Sequence, residues 1–346
     1  MSLHLDADDA ASRPHALLLM SERTMADLFD AERRSRLERL VRLPSPARLD
    51  DVDSAASRAQ LANAEILVTG WGTPRLTAEH LAVAQRLRAV VHAGGSVKGH
   101  LASAFWERGV VVTSAAAANA VPVAEFTLAN ILLEAKRTAQ YVEGYRRHRE
   151  VGGAWRDHVP PTIGFGGVVG IIGLSRTGRR VAELLQAFDL EVLVADPHVD
   201  AKEALAVGAR LTALDDLLAV SDIVTVHAPE LPETHHLLDA RRIGLLPENA
   251  VVINTARGSL IDADALAARC RTGSLRAVLD VTDPEPLPRD SPLFDVPGIV
   301  LTPHIAGAMH PETHRLADSA LDDLAHLVAG RRPVHVVDAA TLGISA

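Results

Sequence analysis

Apolar residues recur along this chain in short runs, each followed by a stretch with helical spacing. In the first part, residues 16–20, 65–69, 89–92 and 110–113 read as buried strands. Residues 25–40 and 76–87 place apolar side chains three and four apart and read as helices. Gly70-Trp71-Gly72-Thr73-Pro74 and Ala93-Gly94-Gly95-Ser96 fall between runs and read as loops. A long helix is expected from near Pro122, where a proline suits the first turn, to about Arg149. Ala124, Leu128, Ile131, Leu132 and Ala135 form its apolar stripe. The Gly- and Pro-rich residues 151–161 then connect to a second alternating part. Its predicted strands are 168–172, 191–195, 223–226, 250–254, 277–281 and 299–301. A last helix is expected over about 311–329, ended by Gly330 and Pro333. His335-Val336-Val337 would return to the first part as a strand or packing segment. Alternation of this kind implies parallel sheets with helices on their faces. A length of 346 residues suits about two domains.

Composition narrows the picture. The chain is 48% hydrophobic but 3% aromatic, so its cores must be aliphatic. Its formal net charge is −9, and the densest basic cluster is Arg146-Arg147-His148-Arg149, which suits a helix C-terminus. A nucleic-acid partner is therefore not expected. Cys270 is the single cysteine, so there is no internal disulfide and no Cys/His metal spacing. That fits a reducing cytoplasm and no metal. The acidic, polar start and the short run at 16–20 argue against a signal peptide or membrane span. Residues before about His15 are expected to be poorly ordered.

The chain's chemistry begins at residues 168–196, VVGIIGLSRTGRRVAELLQAFDLEVLVAD. They read as strand, tight turn, helix, strand and acid, the order that a dinucleotide site needs. Gly173 and Gly178 shape the turn, so that the N-terminus of the following helix can face a pyrophosphate. Asp196 sits at the second strand's tip, where a carboxylate accepts from ribose hydroxyls. Ser175 replaces the usual middle glycine. A Cβ there either pushes the cofactor outward or brings a hydroxyl to a phosphate oxygen.

Three polar stretches follow later strands: Asn254-Thr255-Ala256-Arg257-Gly258, Asp280 to Pro286, and Thr302 to Gly307. Ligands bind at that edge of such sheets. The stretches supply a guanidinium, a carboxylate and an imidazole. That set suits hydride exchange with a 2-keto acid. The guanidinium grips a carboxylate in fork geometry, and the imidazole exchanges a proton with the reacting oxygen. Singly, each residue reads as structural, since the chain has 16 histidines and many acids to pair an arginine. Together, on one sheet edge with a nucleotide turn, they read as a site.

The segments VGIIGLSRTGRRVA, INTARGSLIDADAL, LDVTDPEPLPRDSPLFDVPGIVLTPHIAG and AVPVAEFTLANILLEAKR resemble the signature blocks of the D-isomer-specific 2-hydroxyacid dehydrogenase family. The match runs from about Glu65 to Val337. The resemblance implies two Rossmann-like, doubly wound α/β domains. An NAD-binding domain, residues 122–310, would be inserted into a split flavodoxin-like substrate domain, residues 1–121 and 311–346. It implies NAD as cofactor, a small 2-keto or 2-hydroxy acid as substrate, and a homodimer. Arg257 would anchor substrate, His304 would be the acid/base and Glu285 its partner. Gly173, Ser175, Arg176, Thr177, Gly178, Asp196, His227, Pro229, Thr255, Ala256, Asp280 and Gly307 fall on the family's cofactor contacts. Asp280 would orient the nicotinamide carboxamide. Gly94, Gly95 and Ser96 align with the loop that binds the substrate carboxylate, and Trp71 would line the pocket. Ser96 and Lys98 stand where the family usually has glycine and aspartate, and Thr282 where an aromatic residue is common. Formate-type relatives pair the histidine with glutamine, which Glu285 opposes. Phosphite-type relatives and nucleotide-sensing corepressors of this fold keep the same three residues, so both remain alternatives.

Overall fold

The computed structural model describes residues 13–342. Two compact units divide them, one made of 13–119 and 308–342, the other of Ala120–Gly307. The expectation for the chain before His15 falls almost wholly outside the described residues.

In the first unit, strands β1 (Ala16–Leu19), β2 (Arg48–Leu49), β3 (Ile66–Thr69), β4 (Ala89–His92) and β5 (Val111–Ser114) form one sheet. Its order is β2-β1-β3-β4-β5, parallel throughout, the flavodoxin-like arrangement. Alternate strand residues serve opposite faces, as the pleat requires. Leu18, Val68 and Val91 meet Leu316 and Leu321 of the helix Thr313–Val328 on one side. Leu17, Leu67, Val90 and Val112 meet Leu61, Leu81 and Phe105 on the other. The tail returns as expected. Buried Asp323 accepts from the Val334 and His335 N–H groups (2.7 and 3.2 Å), which sets Val336 opposite Thr113 in an antiparallel bridge.

In the second unit, β6 (Val168–Ile172), β7 (Glu191–Ala195), β8 (Arg210–Leu211), β9 (Ile223–Val226), β10 (Ala250–Asn254), β11 (Leu275–Leu279) and β12 (Ile299–Leu301) build a seven-stranded sheet. Its order is β12-β11-β10-β9-β6-β7-β8, all parallel. Counted from β6, this is the dinucleotide-binding order with one strand added, and it reverses between β6 and β9. Such a reversal leaves a crevice at the strands' carboxyl ends.

Several elements differ from the sequence expectation. The helix expected at 25–40 is two helices, Glu22–Leu28 and Ala31–Leu40. Asp30 separates them by accepting from the Arg33 N–H (2.9 Å) as an N-cap. The helix expected at 76–87 contracts to Ala78–Val83. The long helix starts at Ala116 rather than near Pro122, so the proline lies inside it, and it stops at Ala135. A second helix, Thr138–His148, follows a left-handed Arg137 (φ 57°). The Arg137 guanidinium, almost wholly buried, donates to the carbonyls of Pro161 (3.3 Å) and Asn249 (2.9 Å), which fixes the break. The two-residue edge strands β2 and β8 are too short to show as apolar runs. By length and composition alone, Ala116–Ala135 would span a membrane, and 33% of its most apolar window is buried.

Candidate functional site

The dinucleotide turn follows β6. Gly173 has φ +90°, and a Cβ there would lie 2.7 Å from the Ala228 nitrogen. Only glycine fits both demands. The turn therefore meets the chain leaving β9 backbone to backbone, at the sheet's reversal. A Cβ on Gly178 would lie 2.1 Å from the Gly173 carbonyl oxygen, so the helix Arg176–Leu185 also sits hard on the turn. Ser175 takes the N-cap position, and its hydroxyl accepts from the Gly178 N–H (3.4 Å). Its φ of −61° demands no glycine. First-turn N–H groups lack partners within a helix, which leaves those of Arg176 and Thr177 for an anion. Asp196, just beyond β7, accepts from the N–H groups of Leu174 and His198 (2.8 Å each). The carboxylate is thus held at the turn, with lone pairs left for further donors.

His227 lies beside this turn, with its ring enclosed in the unit. It is 2% exposed, Nε2 lies 3.0 Å from the Thr225 hydroxyl, and burial pushes its pKa down to about 3. What His227 and Ala228 present to Gly173 is backbone. The Pro229 carbonyl accepts from the Thr234 hydroxyl (2.7 Å), which folds the loop after it.

At the end of β10, Asn254 shapes the next loop. Its amide donates to the Arg257 carbonyl (2.7 Å) and its oxygen accepts from the Ala256 N–H (3.0 Å). The Thr255 hydroxyl lies 3.0 Å from that of Thr127, both buried. Arg257 turns one guanidinium nitrogen, Nη1, onto the Ala256 carbonyl (2.5 Å). Its other donors remain. A Cβ on Gly258 would lie 2.0 Å from the Thr282 carbonyl carbon. The loops after β10 and β11 therefore touch, and glycine permits it.

Asp280, 1% exposed, stands between β11 and the loop after β12. It accepts from the Thr302 hydroxyl (2.6 Å) and from the N–H groups of Ile305 and Ala306 (2.8 Å each). Its carbonyl accepts from the His304 N–H (2.9 Å). This cradle fixes His304 in a left-handed conformation (φ 55°). His304 Nδ1 lies 2.5 Å from Glu285 Oε1, and the side chains are 50% and 42% exposed. The Asp280 carboxylate thus ties β11 to the His304 loop, with Oδ1 accepting two donors and Oδ2 one, which leaves a lone pair on Oδ2 for a further donor. Gly307 closes the unit just beyond it.

Imidazole and carboxylate are therefore joined. Arg257 and His304 occupy the same sheet edge, past β10 and β12, with β11 between them. Two strand spacings are roughly 10 Å, a substrate-sized gap. No direct bond links Arg257 to His304 or Glu285 among the described residues. Sequence reasoning gave no role to Asn254, Gly258 or Thr302. A glycine directly after the arginine and a buried Asn at a strand end were the available signals.

In the first unit, Gly94, Gly95 and Ser96 form the loop after β4, and the Ser96 hydroxyl accepts from the Lys98 N–H (3.2 Å). Trp71 follows β3, is 39% exposed, and its carbonyl accepts from the Ser21 N–H (3.0 Å). Among the described residues no cluster of His, Cys, Asp or Glu is set to hold a metal.

Residues 128–306 match the family described as D-isomer specific 2-hydroxyacid dehydrogenase, NAD binding domain. A D-3-phosphoglycerate dehydrogenase of Mycobacterium leprae is 34% identical over 82% of this chain. The match covers 52% of that relative, so the chain spans about half its length. A glyoxylate/hydroxypyruvate reductase B of Pectobacterium atrosepticum is 32% identical over 81% of this chain and 88% of its own. Among solved structures, D-mandelate dehydrogenase of Rhodotorula graminis covers 94% of this chain with a TM-score of 0.77; at 24% identity it speaks to the fold alone. The chain belongs to the D-isomer-specific 2-hydroxyacid dehydrogenase family, and its second unit carries that family's NAD-binding domain.

Proposed function

We propose that this protein interconverts a D-2-hydroxy acid and its 2-keto acid, with NAD as the hydride carrier. The second unit would be the cofactor domain and the first the substrate domain. The observation that carries the reading is the His304–Glu285 contact of 2.5 Å, on the same sheet edge as Arg257. The residues fit the cofactor: a glycine turn pressed on Ala228, a helix N-terminus with free N–H groups, and Asp196 tethered beside them. When bound, NAD supplies the hydride acceptor.

In the oxidising direction, His304 Nε2 takes the proton of the substrate hydroxyl as hydride leaves the same carbon. In reduction it returns that proton to the carbonyl oxygen. Glu285, on Nδ1, fixes the ring so that Nε2 faces the reaction. Arg257 holds the substrate carboxylate with its remaining fork donors and polarises the adjacent carbonyl. Asp196 favours NAD over NADP, because a 2′-phosphate would meet its charge.

We read the assembly as a cytoplasmic homodimer without nucleic-acid or membrane partners. The acidic net charge of −9 supports the absence of a nucleic-acid partner, and the single buried cysteine the reducing compartment; the dimer follows the family resemblance. The helix Ala116–Ala135 reads as a core helix. It sets Ala124, Ile131 and Ala135 into the second unit's core, and Glu134 forms an ion pair with Arg276 (3.0 Å).

A panel of 2-keto acids from glyoxylate to bulkier side chains, followed at the NADH absorbance, tests the reading. Turnover is expected with at least one, and His304→Asn should lower kcat by about 10²–10⁴-fold. NADH binding without turnover across the panel would favour a nucleotide-sensing scaffold.

A further inference from the structure

We propose that His92 is a positioning residue: its ring braces the Gly94–Ser96 loop so that the loop's backbone N–H groups are preset for a substrate carboxylate. The inference rests on the reaction proposed above. It concerns a residue for which the sequence suggested no role.

His92 is the last residue of β4 and is 2% exposed. It pairs in register with Thr69 on β3, and the Thr69 hydroxyl lies 2.8 Å from His92 Nδ1. On its far side the Ser96 backbone favours a proton on the ring, the one influence that raises the His92 pKa. Burial, the larger effect, and the charge of His100 outweigh that bond and hold the pKa at about 4. The His100 ring lies 5.6 Å away, tilted by 35°. At neutral pH the ring therefore carries one N–H. With that proton on Nε2, the side toward Gly94 and Ser96, Nδ1 is bare and accepts a hydrogen bond from the Thr69 hydroxyl.

The ring also fills the space beneath the loop. A Cβ on Gly94 would lie 2.4 Å from His92 Nε2, so the loop rests directly on the imidazole edge. Gly95 is bounded separately: a Cβ there would lie 3.1 Å from the Asn119 amide nitrogen. The Asn119 side-chain oxygen accepts from the Ala308 N–H (3.1 Å). The loop is thus braced at both glycines by polar side chains rather than by a hydrophobic plug. A site that binds an anion through backbone N–H groups depends on such bracing, because mobile donors must be ordered at each binding event. A histidine serving only the core would show its effect in stability alone.

The test is a split between KM and kcat. His92→Phe keeps the ring's bulk without its donor. It should raise KM for the 2-keto acid about tenfold, one hydrogen bond's worth of ordering. kcat and the NADH dissociation constant should stay within about twofold, since His304 and the Gly173 turn are untouched. His92→Gln, whose amide nitrogen reaches as far as Nε2, should recover most of the affinity. Thr69→Val removes only the hydroxyl that fixes the tautomer. It should raise KM by a smaller factor and show a mixed tautomer in ring ¹⁵N spectra, and it keeps the inference testable should the Phe variant fold poorly. An unchanged KM in the Phe and Val variants, or a Gln variant no better than Phe, would overturn the role while the wild type still turned over. A wild type that reduces no 2-keto acid would instead defeat the underlying reading.

Discussion

Two histidines that stand at strand ends of the second unit have opposite fates, and burial decides which. The His304 side chain is half exposed and carries Glu285 on Nδ1. His227 is enclosed, bonded to Thr225, and held neutral by desolvation, with its pKa lowered to about 3. A histidine with a lowered folded pKa stays neutral as pH falls, while the unfolded chain takes a proton near pH 6.5. Its stabilisation is therefore present above about pH 6.5 and is lost as pH falls toward the folded pKa. His92, lowered to about 4, acts in the same sense over nearly the same window. Between pH 7 and 5 each should remove about 2 kcal/mol of folding stability. Urea unfolding at the two pH values measures the sum, and His227→Leu should remove about half of the pH dependence. A stability flat across that interval would show that both imidazoles accept protons in the folded chain. The sequence displayed both motifs equally well. It did not display which ring the fold would cover.

Among elements, the loops after β10, β11 and β12 act as one assembly. Gly258 lets the Arg257 loop lie on the Thr282 backbone, and Asp280 ties the β11 exit to the His304 loop. Gly258→Ala would drive a methyl group to 2.0 Å from the Thr282 carbonyl carbon, and backbone on both sides leaves no flexible atom to yield. The two loops must part, and Arg257 moves with one of them. A displacement of an ångström at a reacting group costs about a hundredfold, so kcat/KM should fall by about that factor. Cofactor binding should weaken far less than activity, because the Gly173 turn lies on the other side of the reversal and only Thr255 and Ala256 share the displaced loop. Loss of NADH affinity equal to the loss of activity would show that the substitution unfolds the unit instead. Loops of this kind were legible only in part. The arginine, the acid and the histidine could be picked out by chemistry and by their distance past a strand. The contact that makes Gly258 obligatory joins residues far apart in sequence, and periodicity carries no trace of it. The same limit explains the helix breaks at Asp30 and Arg137. A cap and two distant carbonyls fix them, and neither interrupts the apolar stripe.

At the scale of the whole molecule, the strands and their parallel-sheet class were the most legible property, because such sheets record themselves as alternating apolar runs and helices. Only the two-residue edge strands β2 and β8 escaped. The order of strands within each sheet left no such record. Each sheet has a core on both faces, and each core draws its buried residues from one unit. Among the described residues, the second unit's cores join Val169, Ile171, Val224 and Val252 to covering helices of the same unit. Its folding is therefore expected to be cooperative within itself. A ligand that binds only the folded second unit should stabilise that unit by mass action, by about 2.7 kcal/mol at a hundred times its dissociation constant. For a unit of 150–250 residues this raises the melting temperature by roughly 5–10 °C. Calorimetry should then show two transitions, of which NADH moves one. Hydrogen exchange should place the added protection in β6, β7 and β9, the strands that flank the Gly173 turn, and leave β1, β3 and β4 unchanged. A single transition that moves as a whole, or equal protection in both sheets, would mean that the cores are thermodynamically coupled despite being built separately.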